Sequence, residues 1–136
     1  MKLPVSHKRR GAALVESALT LPLFVLLWFS LFDMGWIMFF QQTMAYQARS
    51  AARYAAVNPG NLTAVQNLVL YNQTSGSGAG VLGLQAANVA VTRTGQGSTE
   101  DRINIVISGY QFTLITPGWA GAYTARPISV SIPVEN

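Results

Sequence analysis

Very few residues in this chain could begin chemistry. His7 is the single histidine, cysteine is absent, and the acids number five. One histidine builds neither a His-based triad nor a His metal cluster, and there is no thiol to serve as a nucleophile. Glu100 and Asp101 adjoin in the turn-like stretch GQGSTED (95–101), where neighbouring side chains point apart, so a solvated turn is expected. The glycines of TSGSGAG (74–80) are not followed by GKS or GKT and lack a strand–loop–helix frame, so they read as a loop and not a phosphate cradle. No catalytic, cofactor-binding or metal site is expected, and no enzymatic activity. One other group does carry a chemical question. Lys8, Arg9 and Arg10 run into the small-residue step Gly11-Ala12-Ala13, and Glu16 stands just inside the apolar run that follows. A carboxylate within the apolar part of a membrane helix costs about 2.5–3.5 kcal/mol on insertion scales, so it needs a reason. At headgroup depth that reason can be the positive helix N-terminus alone.

The element that positions these residues is a long apolar helix. Half of the chain is apolar and 10% is charged, where a soluble domain carries about 25%. Lys2, Lys8, Arg9 and Arg10 precede position 11, and the remaining arginines balance the acids, so the formal +4 belongs to a short basic head. A nucleic-acid binder would carry its basic face on the folded part; a head joined directly to apolar residues is a membrane address. Ser17 to Phe32 has no charge, and apolar character resumes from Met34 to Phe40. Ala12–Phe40 therefore exceeds the roughly 20 residues that cross a bilayer, with Glu16 and Asp33 near the two ends. Pro22 could bend the helix in its first turns. Trp36, beside Asp33 and Gly35, suits the outer interface. By the positive-inside rule Lys8, Arg9 and Arg10 place the amino terminus in the cytoplasm and everything after about residue 40 outside. A cleaved secretory signal would need a shorter apolar core ending in an A-x-A-like site, and SLFDMGWIMFFQQ (30–42) offers none.

KRRG followed by AALVE resembles the processing site of type IV prepilins: a basic leader, a glycine, and a mature helix with Glu at its fifth position. RRGAALVESALTLPLFVLLWFSLFDMGW and QQTMAYQARSAARYAAVNP narrow the resemblance to the TadE-like minor pilins, or pseudopilins, of tight-adherence (Flp/Tad) pilus systems. The likeness covers roughly residues 8–60 well and the later GYQFTLITPGW and ISVSIPV more loosely. It implies cleavage between Gly11 and Ala12 by a prepilin peptidase, with Glu16 of one subunit meeting the new amine of a neighbour. A buried carboxylate without such a partner is strongly unfavourable, so the pair would favour one subunit register. The implied partners are that peptidase, other pilins or pseudopilins, the Tad assembly machinery and the lipid bilayer, with no nucleic acid. The implied place is the bacterial inner membrane, single-pass, with the carboxyl-terminal domain in the periplasm or outside, or in the pilus. Ser17 stands where the major Flp pilins usually carry Tyr, and those are much shorter; both differences argue for a minor component. The alternative is an unprocessed single-pass anchor whose outer domain binds a partner or ligand in the envelope.

Four segments follow: a leader (1–11), a transmembrane helix (12–40), an extramembrane extension (41–57) and a small exported α+β domain (58–136). The extension is rich in strong helix formers, with Ala45, Ala48, Ala52 and Ala55 forming a small-residue stripe that permits close packing. Arg49 and Arg53 lie four apart on one face, either solvated or facing an acidic partner. NPGN (58–61) ends the helix, and Asn61 is placed to cap a second one through about Asn72, with Leu62, Val65, Leu68 and Val69 on one side. Residues 88–94, 103–116 and 127–134 read as strands, with Gly109 a bulge or bend, and 117–126 as a loop holding Trp119 and Tyr123 as packing residues. The expected fold is α+β, a long helix with a small antiparallel sheet packed on its outer part.

Overall fold

The computed structural model describes residues 7–117 and 122–134, with side chains from Gly11 onward. Residues 1–6 of the expected leader, the side chains of Lys8, Arg9 and Arg10, and Trp119 lie outside the described residues. Helix α1 runs unbroken from His7 to Val57, 51 residues, or about 77 Å at about 1.5 Å per residue. It begins before the expected Ala12 because Lys8, Arg9 and Arg10 are themselves good helix formers. Pro22 lies inside the helix without ending it. Thr20 and Ser30, polar residues of the apolar stretch, donate their hydroxyls to the carbonyls of Glu16 and Leu26 at 3.0 and 2.9 Å. These two hydroxyls are thus satisfied by the helix's own backbone, as a lipid environment demands.

Asn58, Pro59 and Gly60 turn the chain into α2 (Leu62–Tyr71). Asn61 caps it, its side-chain oxygen accepting the Ala64 N–H at 3.0 Å, and Asn72 closes it in the left-handed conformation. The buried face of α2 is Ala64, Val65, Val69 and Leu70. Leu62 and Leu68 are only half-buried, so the apolar face is rotated from the expected one. The alanine stripe of α1 explains the close seam. Ala48, Ala51, Ala52 and Ala55 are fully buried, and their small side chains let α2 and the sheet approach the α1 backbone.

After two short 3-10 turns the chain forms β1 (Val89–Thr94), β2 (Arg102–Ile107), β3 (Gln111–Thr113), β4 (Ala122–Thr124) and β5 (Ile128–Pro133). A three-stranded antiparallel sheet has the order β1-β2-β5, and β3 and β4 form a separate antiparallel pair. Register places Val91, Ile105 and Val130 side by side. Ile103, Ile105 and Ile107 alternate inward and are buried, while Ser129 and Ser131 of β5 face out. The inner face lies on the helices, β2 and β5 on α1 and β1 on α2. Gln66 of α2 fixes the entry to β1 by donating to the carbonyls of Ala86 and Val89 at 3.1 and 2.9 Å.

The expected run 103–116 is divided by Ser108-Gly109-Tyr110, where Gly109 takes a φ of +69°, a conformation natural to glycine. Gly109 is thus a bend between two strands. The segment 117–126, expected as a loop, contains β4: Tyr123 pairs with Phe112. At this membrane-proximal end Phe40 of α1 is buried beneath Tyr110, stacked with ring centroids 4.2 Å apart, and beside Phe112 at 5.7 Å. Tyr123, as expected, packs, its ring 5.1 Å from Phe112. Burial pushes the Tyr110 phenol up, so it stays a donor, bonded to the Leu82 carbonyl.

Candidate functional site

From Gly11 to Trp28 every side chain of α1 is exposed. The helix is long and apolar enough to cross a membrane, and only 11% of its apolar window is buried. Gly11 is helical, with open space where a side chain would be, and Ala12 follows it on the same bare surface. Glu16 is exposed among Leu14, Val15 and Leu19, and no cation pairs with it among the described residues. Packing among the described residues therefore gives this carboxylate no role. The three residues lie within about 7.5 Å along one helix, at about 1.5 Å per residue.

Asp33 has a different fate, one that its place in the sequence did not reveal. Its side chain is buried at 6% exposure. The carboxylate accepts the Ile115 N–H at 2.8 Å, the Thr116 N–H at 2.9 Å, and the Thr116 hydroxyl. The small α+β domain thus reaches back along α1 well inside the expected boundary at residue 40. The segment after β3 is clamped on the helix by a single acid. The sequence contained one hint, an acid inside an apolar run, but its partners are backbone amides, which no residue type announces.

Arg49 and Arg53 are exposed and make no ion pair among the described residues. Arg49 lines a small polar cleft of α1 with Gln41, Gln42 and Arg126, so the solvated face acquires a second cation from outside the helix. Glu100 and Asp101 do point apart, but Asp101 is not solvated. It is buried and takes a two-pronged pair from Arg93, at 2.8 and 2.6 Å. Arg93 also donates to the Pro59 carbonyl at 3.4 Å, tying the β1–β2 turn to the end of α1. The pair is structural, bringing residues of one hairpin together. No group of three or more His, Cys, Asp or Glu side chains converges among the described residues.

Hydrogen bonds from Arg93 hold the Asp101 carboxyl below its ordinary range, against the opposing effect of burial, with a smaller contribution from the Gly97 N–H. A carboxyl lowered on folding adds stability above its unfolded value, about 3.9, and that stability disappears as pH falls through the folded value. The domain is therefore expected to melt at progressively lower temperature below about pH 4. Melting of the full chain in detergent across this range checks it, with Asp101→Asn showing a flatter dependence and a lower plateau.

A family model described as TadE-like protein matches residues 11–53. No curated protein and no solved structure matches the chain. From Gly11 to Arg53, through the small-residue step, Glu16, the Asp33 clamp and most of the alanine seam, the chain is similar to the TadE-like family.

Proposed function

We propose that this chain is a structural subunit for pilus assembly, a minor pilin or pseudopilin inserted in the bacterial inner membrane and cut after Gly11 by a prepilin peptidase. It has no catalytic role in this reading. Glu16 is the observation that carries it: a carboxylate on a bare apolar helix, with no ion-pair partner among the described residues. Cleavage before Ala12 would create an α-amino cation, and Glu16 of an adjoining copy would meet it. An unpaired charge in lipid is costly and a paired one much less so, which makes the pair a device for registering subunits. The cytoplasmic amino terminus follows from Lys8, Arg9 and Arg10. Arg49 and Arg126, which share a cleft and make no ion pair among the described residues, support docking to an acidic neighbour in the assembly machinery, and thereby a part in adherence.

Mass spectrometry of the membrane-extracted protein tests the reading. With the peptidase present, the mass is expected to fall by about 1.2 kDa, roughly eleven average residues of about 110 Da, and without it to stay whole. An intact amino terminus in cells that carry working pili would leave only an unprocessed anchor with an envelope-facing domain.

A further inference from the structure

Among the described residues beyond α1, Ile115 is the most exposed large apolar side chain, at 64%. It belongs to the segment 114–117, Leu-Ile-Thr-Pro, which Asp33 clamps to the helix. Asp33 stands about 32 Å along α1 from Ala12, at about 1.5 Å per residue, and the hydrocarbon core of a bilayer is about 30 Å thick. The segment therefore sits where the helix would leave the lipid. Ile115 joins Trp28, Phe32 and Trp36 around one apolar cleft of α1, and Leu114 and Pro117 line a second on the other side with Leu26 and Met34. Irregular backbone at that depth has a specific difficulty, because amide N–H groups facing apolar surroundings have no water to bond. The Asp33 carboxylate removes it by accepting both amides and the Thr116 hydroxyl. Equally, three donors make a carboxylate tolerable at the edge of the lipid.

We infer that residues 114–117 form a second membrane contact, inserted at the headgroup–acyl boundary of the outer leaflet and held there by Asp33. Lipid is the occupant of both clefts. The exported domain thus rests on the bilayer at a fixed height and orientation instead of swinging above it. This inference depends on α1 crossing the membrane, so the test must separate the two.

The absence of cysteine makes single-cysteine labelling clean. Ile115→Cys, Leu23→Cys in the middle of the bare helix and Thr92→Cys on the outer face of β1 are labelled with an environment-sensitive fluorophore. The full chain is reconstituted in phosphatidylethanolamine–phosphatidylglycerol vesicles containing lipid spin-labelled near the headgroup or deep in the chain. The label at 115 is expected to be quenched at least about threefold more than that at 92, and best by the shallow quencher, as for an interfacial element. Adding Asp33→Ala should reduce quenching at 115 towards the level at 92. Quenching at 23 with none at 115 overturns the inference and leaves the anchor standing; quenching at neither site removes both. Shielding of 115 that appears only at high protein density assigns the clefts to a neighbouring subunit and overturns lipid as the occupant. Quenching at 115 that survives Asp33→Ala overturns the clamp.

Discussion

Phe40→Ala is expected to loosen the small β domain from the long helix. Phe40 is 1% exposed, stacked on Tyr110 and in contact with Phe112. Truncating a buried phenylalanine costs about 3–5 kcal/mol, against a total margin of about 5–15 kcal/mol for a domain. The effect is large here because Phe40 holds the β2–β3 bend and the two-stranded β3–β4 pair, through Tyr110 and Phe112, and belongs to the same core as Ile103, Ile105 and Ile107 of the three-stranded sheet. A sheet of that size has little stability of its own. Strand signal in the full chain in detergent should melt at markedly lower temperature, and the region after Gly80 should become open to protease. The signal of the long helix should remain. Phe39→Ala, one residue earlier and 54% exposed, is the control and should change stability by no more than about 0.5 kcal/mol. Equal effects at 39 and 40 would mean that the helix face is not the one described.

Glu16→Gln should leave folding and cleavage after Gly11 intact while incorporation into pili falls about tenfold or more, the scale of losing one charge-assisted contact. Glutamine keeps the size and shape of the side chain and one acceptor oxygen, but loses the charge and turns the other oxygen into a donor NH2, so it removes the ion pair without changing the volume. Because Glu16 is exposed and makes no ion pair among the described residues, melting should not move. The measurement is the ratio of subunit in sheared pilus fractions to subunit in membranes, with the processed mass read in both. Glu16→Asp, with the charge retained on a shorter arm, should recover part of the loss. Normal incorporation of Glu16→Gln would end the registration idea, whatever the state of cleavage.

Much of the fold was legible because its signals are local. Asn61 and Asn72 bound α2 through bonds to residues three and four positions away, and the alternation of β2 is a pattern of second neighbours. The strand β4 was not legible. Its three residues sit among glycines and prolines, and it exists only because β3 lies beside it. The Arg93–Asp101 pair was missed for a related reason, since only the hairpin register brings residues eight apart into contact. Asp33 is the extreme case: it bonds to amides 82 and 83 positions away, and main-chain donors leave no trace in residue type.

By itself, the amino-acid sequence determined the long apolar helix, the acid five residues past a small-residue step, and the alternating strands. Each is a property of neighbours along the chain, whose spacing sets which face is apolar. The tertiary structure alone decided where the domain rests on that helix and what Asp33 is for. Those outcomes depend on which distant surfaces fit, on alanines small enough to admit a sheet, and on a carboxylate at the height where unpaired amides arrive.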